Sequence, residues 1–143
     1  MPPEPPICIG LILSDQVIRD TATGKISLIN CFTAFNSAAF PFQAPPFFIT
    51  ALVFGVAGKG KPIHFKVSIK KRDSENYILD ISGEATPQGT ADPDEIAEMV
   101  WAIPSLIFPE VGVYDIVITI NREEFRSRSL IVKAITGAPV QIK

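Results

Sequence analysis

Any imidazole chemistry in this chain must run through one residue, His64. It lies in a stretch where Phe65, Val67 and Ile69 alternate with His64, Lys66, Ser68 and Lys70. A half-covered strand turns its polar parity to water, so a solvated surface histidine is the expectation. Pairing it with a carboxylate such as Asp80 as acid and base rests on no spacing rule. No serine sits in a strand–turn–helix elbow of the kind a hydrolase triad uses. Gly58-Lys59-Gly60-Lys61 has the composition of a phosphate loop, yet it joins two strand-like segments and opens no helix, so it reads as a hairpin turn. These residues call for no cofactor and supply no catalytic constellation. The expectation is a protein that is not an enzyme.

The carboxylates allow one other chemistry. Asp92, Asp94 and Glu95 could offer oxygens to a calcium ion at one end of a β-sandwich. A calcium ion takes about six to eight oxygens, usually from more than one loop, and only Glu110 or Asp115 stands ready to join. The same residues read equally as a solvated loop with a helix start, Asp92 as cap and Pro93 in the first turn. A ligand- or calcium-binding sandwich using end loops near Asp92–Glu95 and Glu110 is therefore the alternative function. Cys8 and Cys31 with one histidine fall short of the four ligands of a structural zinc site. Both cysteines sit in apolar segments and read as small buried hydrophobes, and a disulfide stays open if their strands pair.

The aromatic distribution is the strongest anomaly. Seven of the ten phenylalanines fall between Phe32 and Phe54. One reading folds this region across an open end of the fold, where it plugs the core. The sharper reading is an apolar patch formed by Phe40, Phe42, Phe47 and Phe48 that meets a second subunit or a protein partner. The segment Phe47 to Val56 supports the second, because it is apolar on both parities. A strand in a two-layer sandwich normally keeps one side wet, so something must cover its other side. A self-associating interaction or structural module is the leading functional expectation.

Charge narrows the partners. The formal net charge is −2 over 143 residues, which gives no overall field suited to nucleic acid. Lys59, Lys61, Lys66, Lys70, Lys71 and Arg72 cluster, but Phe65 points away from them and offers no stacking platform for bases. Outward lysines that discourage edge-to-edge aggregation are favoured over a face for anions or a membrane surface. Mean hydropathy is +0.28, yet no apolar run approaches the roughly 18–20 residues that span a bilayer. The start, Met1-Pro2-Pro3-Glu4-Pro5-Pro6, has no basic region ahead of an apolar one and does not read as a secretory signal. A cytoplasmic location is the default expectation.

These features must be positioned by strands. Ile7–Leu13, Ile26–Phe35, Phe47–Val56, His64–Lys70, Tyr77–Ala85, a segment through Met99, Trp101 and Ile103, Val113–Ile120 and Phe125–Ile135 carry strand patterns separated by turn residues. In the seventh, Tyr114 follows the turn residue Gly112 and opens an alternating run with Ile116, Ile118 and Ile120. That is the sequence form of a tyrosine corner, whose ring packs under the end of a sandwich while its hydroxyl bonds back to the preceding loop. Tyr114, Gly112 and Trp101 are therefore structural residues. The fold expected is all-β, an immunoglobulin-like antiparallel β-sandwich of seven to eight strands. Residues 7–143 form one domain behind a disordered Pro-rich tail, 1–6.

The segment Thr23-Gly24-Lys25-Ile26-Ser27-Leu28-Ile29-Asn30-Cys31-Phe32 resembles the GK-x-S-L-I-G-x-F stretch of a family of small uncharacterised bacterial proteins. Phe40-Pro41-Phe42 and Phe108-Pro109-Glu110-Val111-Gly112-Val113-Tyr114 are similar to later landmarks of that family. The resemblance spans most of the chain and implies a sandwich fold with no assigned activity. Asn30 stands where the family pattern has Gly, at the place of a local turn or bulge.

Overall fold

A computed structural model describes residues 7–54, 62–85, 96–121 and 123–135. Within them lie eleven strands: β1 (Ile7–Arg19), β2 (Ile26–Phe32), β3 (Ala34–Ser37), β4 (Phe42–Gln43), β5 (Phe47–Phe54), β6 (Ile63–Lys71), β7 (Tyr77–Ala85), β8 (Ile96–Ile103), β9 (Ile107–Phe108), β10 (Gly112–Ile120) and β11 (Glu123–Ala134). A four-stranded sheet has the order β2-β1-β5-β8, and a five-stranded sheet has the order β3-β11-β10-β6-β7. A short ribbon pairs β4 with β9. The fold is an all-β sandwich with more strands than the seven or eight expected. The surplus arises because Ile26–Phe35 is broken into two strands, and because two segments outside the expected strands, Phe42–Gln43 and Ile107–Phe108, each contribute a two-residue strand.

Alternation dictates the core. On β10, Tyr114, Ile116, Ile118 and Ile120 face inward, and the ladder sets Ile69, Val67 and Phe65 of β6 beside the last three. From the opposite sheet, Leu11 and Leu13, Phe47, Ile49, Ala51 and Val53, and Trp101 and Ile103 join the same cluster. Trp101 meets Phe65 edge-on across the layers, ring centres 5.7 Å apart. Ser68 departs from the expected pattern. It belongs to the polar parity of β6, yet it is buried where Val117 and Asp80 flank it in the ladder.

Two devices tie the layers. The chain leaves the four-stranded sheet at Thr33 and continues as β3, which pairs in parallel with β11 at Ala34↔Ile131. Nearby, Arg128 lies on the inward parity of β11, opposite Ile116. Its Nη1 donates to the Leu11 carbonyl of the other sheet at 2.6 Å. β2 pairs with β1 only from Leu13 onward, so Arg128 supplies a donor where the ladder has run out.

An aromatic cap closes one end. Phe35 is its hub, with ring centres 4.8 Å from Phe32, 5.6 Å from Phe42, and 5.7 Å from both Phe47 and Phe108. The β4–β9 ribbon holds Phe42 opposite Phe108. It is extended by Ala44 N donating to the Leu106 carbonyl at 2.8 Å and Ser105 Oγ donating to the Ala44 carbonyl at 2.6 Å. Phe108 then meets Tyr114 edge-on at 4.9 Å.

Tyr114 is fully buried, and its hydroxyl donates to the Glu110 carbonyl at 2.7 Å. That is the backward bond of a tyrosine corner. Gly112, at φ +150°, lets Lys71 cross the corner, since a Cβ there would stand 2.7 Å from Lys71 Cε. Lys71 Nζ then reaches Glu110 at 2.7 Å. Burial raises the Tyr114 pKa above its ordinary 10.0, and the hydrogen bond to Glu110 raises that of Lys71 above 10.5. Both groups hold protons more tightly folded than unfolded. Their contribution is complete below those ordinary values and is lost as pH rises through the folded ones. Tyr114→Phe is expected to cost about 1 kcal/mol at neutral pH by leaving the Glu110 carbonyl unpaired. It is also expected to flatten the fall in stability above pH ~10. Urea unfolding at neutral and alkaline pH measures both, and an unchanged midpoint at neutral pH would show that the hydroxyl does no structural work.

Candidate interaction surface

The far half of β1 does not continue along its sheet. Gly10 pairs with Leu52, and Leu52 with Glu98, which sets Gly10 and Glu98 level across the sheet. Arg19 lies nine residues beyond Gly10, about 30 Å further on in a straight strand. Yet Arg19 Nη1 stands 3.7 Å from Glu98 Oε1. The strand must therefore fold back. The ladder marks the place, for Ser14↔Cys31 and Gln16↔Ile29 are paired while Asp15 and Asn30 between them are not. Asn30 takes φ +54° there, the left-handed conformation that Asn tolerates better than most residues.

The hairpin beyond this hinge forms an arm, Gln16–Arg19 paired with Ile26–Ile29. Its tip is closed by Asp20, whose carboxylate accepts from Ala22 N at 2.8 Å. Gly24 at φ +75° completes the turn, and its carbonyl accepts from Arg19 Nη1 at 2.6 Å. Val17 pairs with Leu28 and Arg19 with Ile26, so these four share one side. Arg19 reaches Glu98, which turns that side toward the sheet. Val17, Ile26 and Leu28 are accordingly half-buried, whereas Gln16, Ile18 and Ser27 on the other side are exposed.

The face beneath the arm is the outer face of the four-stranded sheet. It carries Ile12 and Ser14 from β1, Phe48, Thr50 and Leu52 from β5, and Ile96, Glu98, Val100 and Ala102 from β8. Ser14 and Thr50 are wholly buried although they point away from the core. Thr50 Oγ1 has no hydrogen-bond partner among the described residues. The arm thus supplies a cover for the second apolar side of β5. That cover is incomplete, for Ile96 is 50% exposed and Val100 37%, and Ile18 on the back of the arm is 47% exposed.

The outer face of the five-stranded sheet is different in kind. His64 pairs with Glu84 at 3.2 Å, Lys66 with Asp80 at 3.5 Å and Arg72 with Asp115 at 2.7 Å. Lys66 and Lys70 each stand 5.8 Å from the centre of the Tyr77 ring. The described members of the basic cluster are engaged with acids or an aromatic face, and His64 is an exposed residue beside Glu84. Asp80, its suggested partner, belongs to Lys66. Lys59 and Lys61 lie outside the described residues.

The structure redistributes the expected Phe surface. Phe47 is 1% exposed and belongs to the core, which corrects its placement on a surface. Phe40 and Phe42 are partly buried against that core. Only Phe48 lies on the outer face, because neighbouring residues of a strand point to opposite sides. Ile96, Val100 and Ile18 were missed, since the first two lie in a strand recognised by its inward parity and the third in a stretch not read as strand. Asp92, Asp94 and Glu95 lie outside the described residues. Glu110 is held by Lys71, and Asp115 by Arg72. An open hollow of about 530 Å³ borders Lys71, Arg72, Asp73, Ser74, Glu110 and Val113, and its Lys71, Arg72 and Glu110 are engaged in these ion pairs. Among the described residues no cluster of three or more His, Cys, Asp or Glu is placed to hold a metal ion. Cys31 is a free, exposed thiol, which answers the open disulfide question against pairing. No helix among the described residues is long and apolar enough to cross a membrane.

Two stacked sheets around one apolar cluster, with one outer face ion-paired and the other apolar under a hairpin arm, define an all-β sandwich with a single distinctive surface. The chain belongs to a family of unknown function, DUF6941, whose model matches residues 10–133. The matched span begins in β1 and ends in β11, so it takes in the arm, both sheets and the aromatic cap. No curated protein matches the sequence.

Proposed function

We propose that this protein is a non-enzymatic interaction or structural module that self-associates through the outer face of its four-stranded sheet. One observation carries the reading, namely the contrast between the two outer faces. The five-stranded sheet shows water the Lys66–Asp80 and Arg72–Asp115 ion pairs and the His64–Glu84 contact, with Tyr77 and Ile131 as the large apolar side chains exposed beside them. The four-stranded sheet shows Ile96, Val100, Ala102, half-buried Phe48 and Leu52, and one carboxylate already met by Arg19. Contiguous apolar surface of this kind marks an interaction site, and a face without free charge suits a second copy of itself. An immunoglobulin-like variant of the sandwich supports the same role. The strand order, in which the chain passes from β5 to the other sheet and returns at β8 to pair with β5, and the Tyr114 corner both favour that variant. A cytoplasmic setting fits the free Cys31.

Native mass spectrometry of the wild-type chain is expected to show a dimer or larger species. Ile96→Asp with Val100→Asp should return it to 15.6 kDa while the thermal midpoint stays close to wild type, since both side chains are exposed. A wild-type monomer at every concentration would overturn the reading.

A further inference from the structure

We propose that the arm of residues 16–29 is exchanged between two copies of this chain, each arm covering the outer face of the other's four-stranded sheet. The inference rests on the self-association reading and supplies its mechanism. Its origin is the hinge. Pairing on the two sides of Asp15 and Asn30 keeps one register, with Ser14↔Cys31 before and Gln16↔Ile29 after. Straightening the hinge therefore requires no slip of one strand along the other. It would restore the missing rung and release Asn30 from φ +54°, a conformation that costs any residue with a side chain.

Straightening has one cost, because it bares Val17, Ile26 and Leu28 on the arm and Phe48, Thr50 and Leu52 on the sheet. A second open copy presents the matching surfaces. In an exchanged pair each arm makes the contacts it makes in the closed chain, the one between Arg19 and Glu98 included, and each hinge gains its rung. Closed monomer and exchanged dimer then differ by two relaxed hinges and by the burial of Ile96 and Val100, which the arm leaves exposed in the closed chain, against the entropy of association. A short strained hinge is the arrangement that favours exchange.

The test places single cysteines at the two ends of the Arg19–Glu98 contact, Arg19→Cys and Glu98→Cys, in a chain with Cys8→Ser and Cys31→Ser. The exposed ion pair so removed contributes little to stability. A short bis-maleimide is added, covalent products are sized by denaturing electrophoresis, and native mass spectrometry gives the assembly state. Exchange predicts links between chains at twice the monomer mass. Dimers that yield only intrachain links would overturn the exchange and leave the assembly reading intact, whereas monomers throughout would overturn both. Hinge variants test the cause without touching the contact. Asn30→Val, a β-branched residue averse to positive φ, is expected to raise the dimer association constant roughly tenfold, and Asn30→Gly to lower it. Equal association by both variants would remove the hinge from the argument.

Discussion

Phe47→Ala is expected to lower the free energy of unfolding by about 3–5 kcal/mol, a large share of the roughly 5–15 kcal/mol that holds a domain together. The ring is closed off from solvent and stands edge-on to Phe32 at 5.6 Å and to Phe35 at 5.7 Å. Its strand is fixed on both sides by β1 and β8, so the backbone has little freedom to close the space left behind. Phe48→Ala, one residue along on the opposite face, should cost far less. Denaturant unfolding of the two variants side by side reads the difference. Equal losses would mean that the outer face is as tightly covered as the core.

Phe108→Ala should bring a loss of the same order, about 3–5 kcal/mol, by a different route. Phe108 is the residue through which the aromatic cap touches the Tyr114 corner, with Phe35 on one side and Tyr114 on the other. Removing it takes a wall from the Tyr114 ring and half the apolar reason for the β4–β9 ribbon. Phe47 and Phe108 both pack on Phe35, so the double variant should depart from additivity by about 0.5 kcal/mol or more. A double-mutant cycle by urea unfolding measures that coupling, and strict additivity would show two independent sites.

Local alternation made much of this architecture legible. The inward parities of β6, β8 and β10 follow from Val67 and Ile69, Trp101 and Ile103, and Ile116 and Ile118, because a strand with one wet side writes its orientation into every second residue. Tyr114 was legible for a similar reason, since its partner is the loop immediately before it. β1 was read too short, for Ser14-Asp15-Gln16 interrupts its apolar run, and those polar residues mark a hinge within the strand. The break at Thr33 left no mark in composition, because its residues are strand-like on both sides and only the identity of the partner changes.

The surface was legible in outline. That β5 needs a cover on its second side follows from Phe48 and Leu52 lying opposite Phe47 and Ile49. The nature of the cover does not, because it depends on Arg19 meeting Glu98 across most of the chain. Adjacent Phe47 and Phe48 also defeat any argument from composition, since one residue of shift exchanges core for surface. Asn30, a residue tolerant of left-handed backbone within an otherwise ordinary strand, was a second local clue to the hinge.

The crossing at Thr33 has a consequence for the order in which the molecule is made. β1, β2 and β5 emerge early from the ribosome and can pair with one another at once. β3 follows directly on β2, yet its ladder partner, Ile131–Ala134, is among the last of the described residues to be synthesised. Until β11 has been made, β3 therefore waits without the ladder partner it has in the folded chain. The tie that the crossing at Thr33 makes between the two layers is closed only by the last of the described strands.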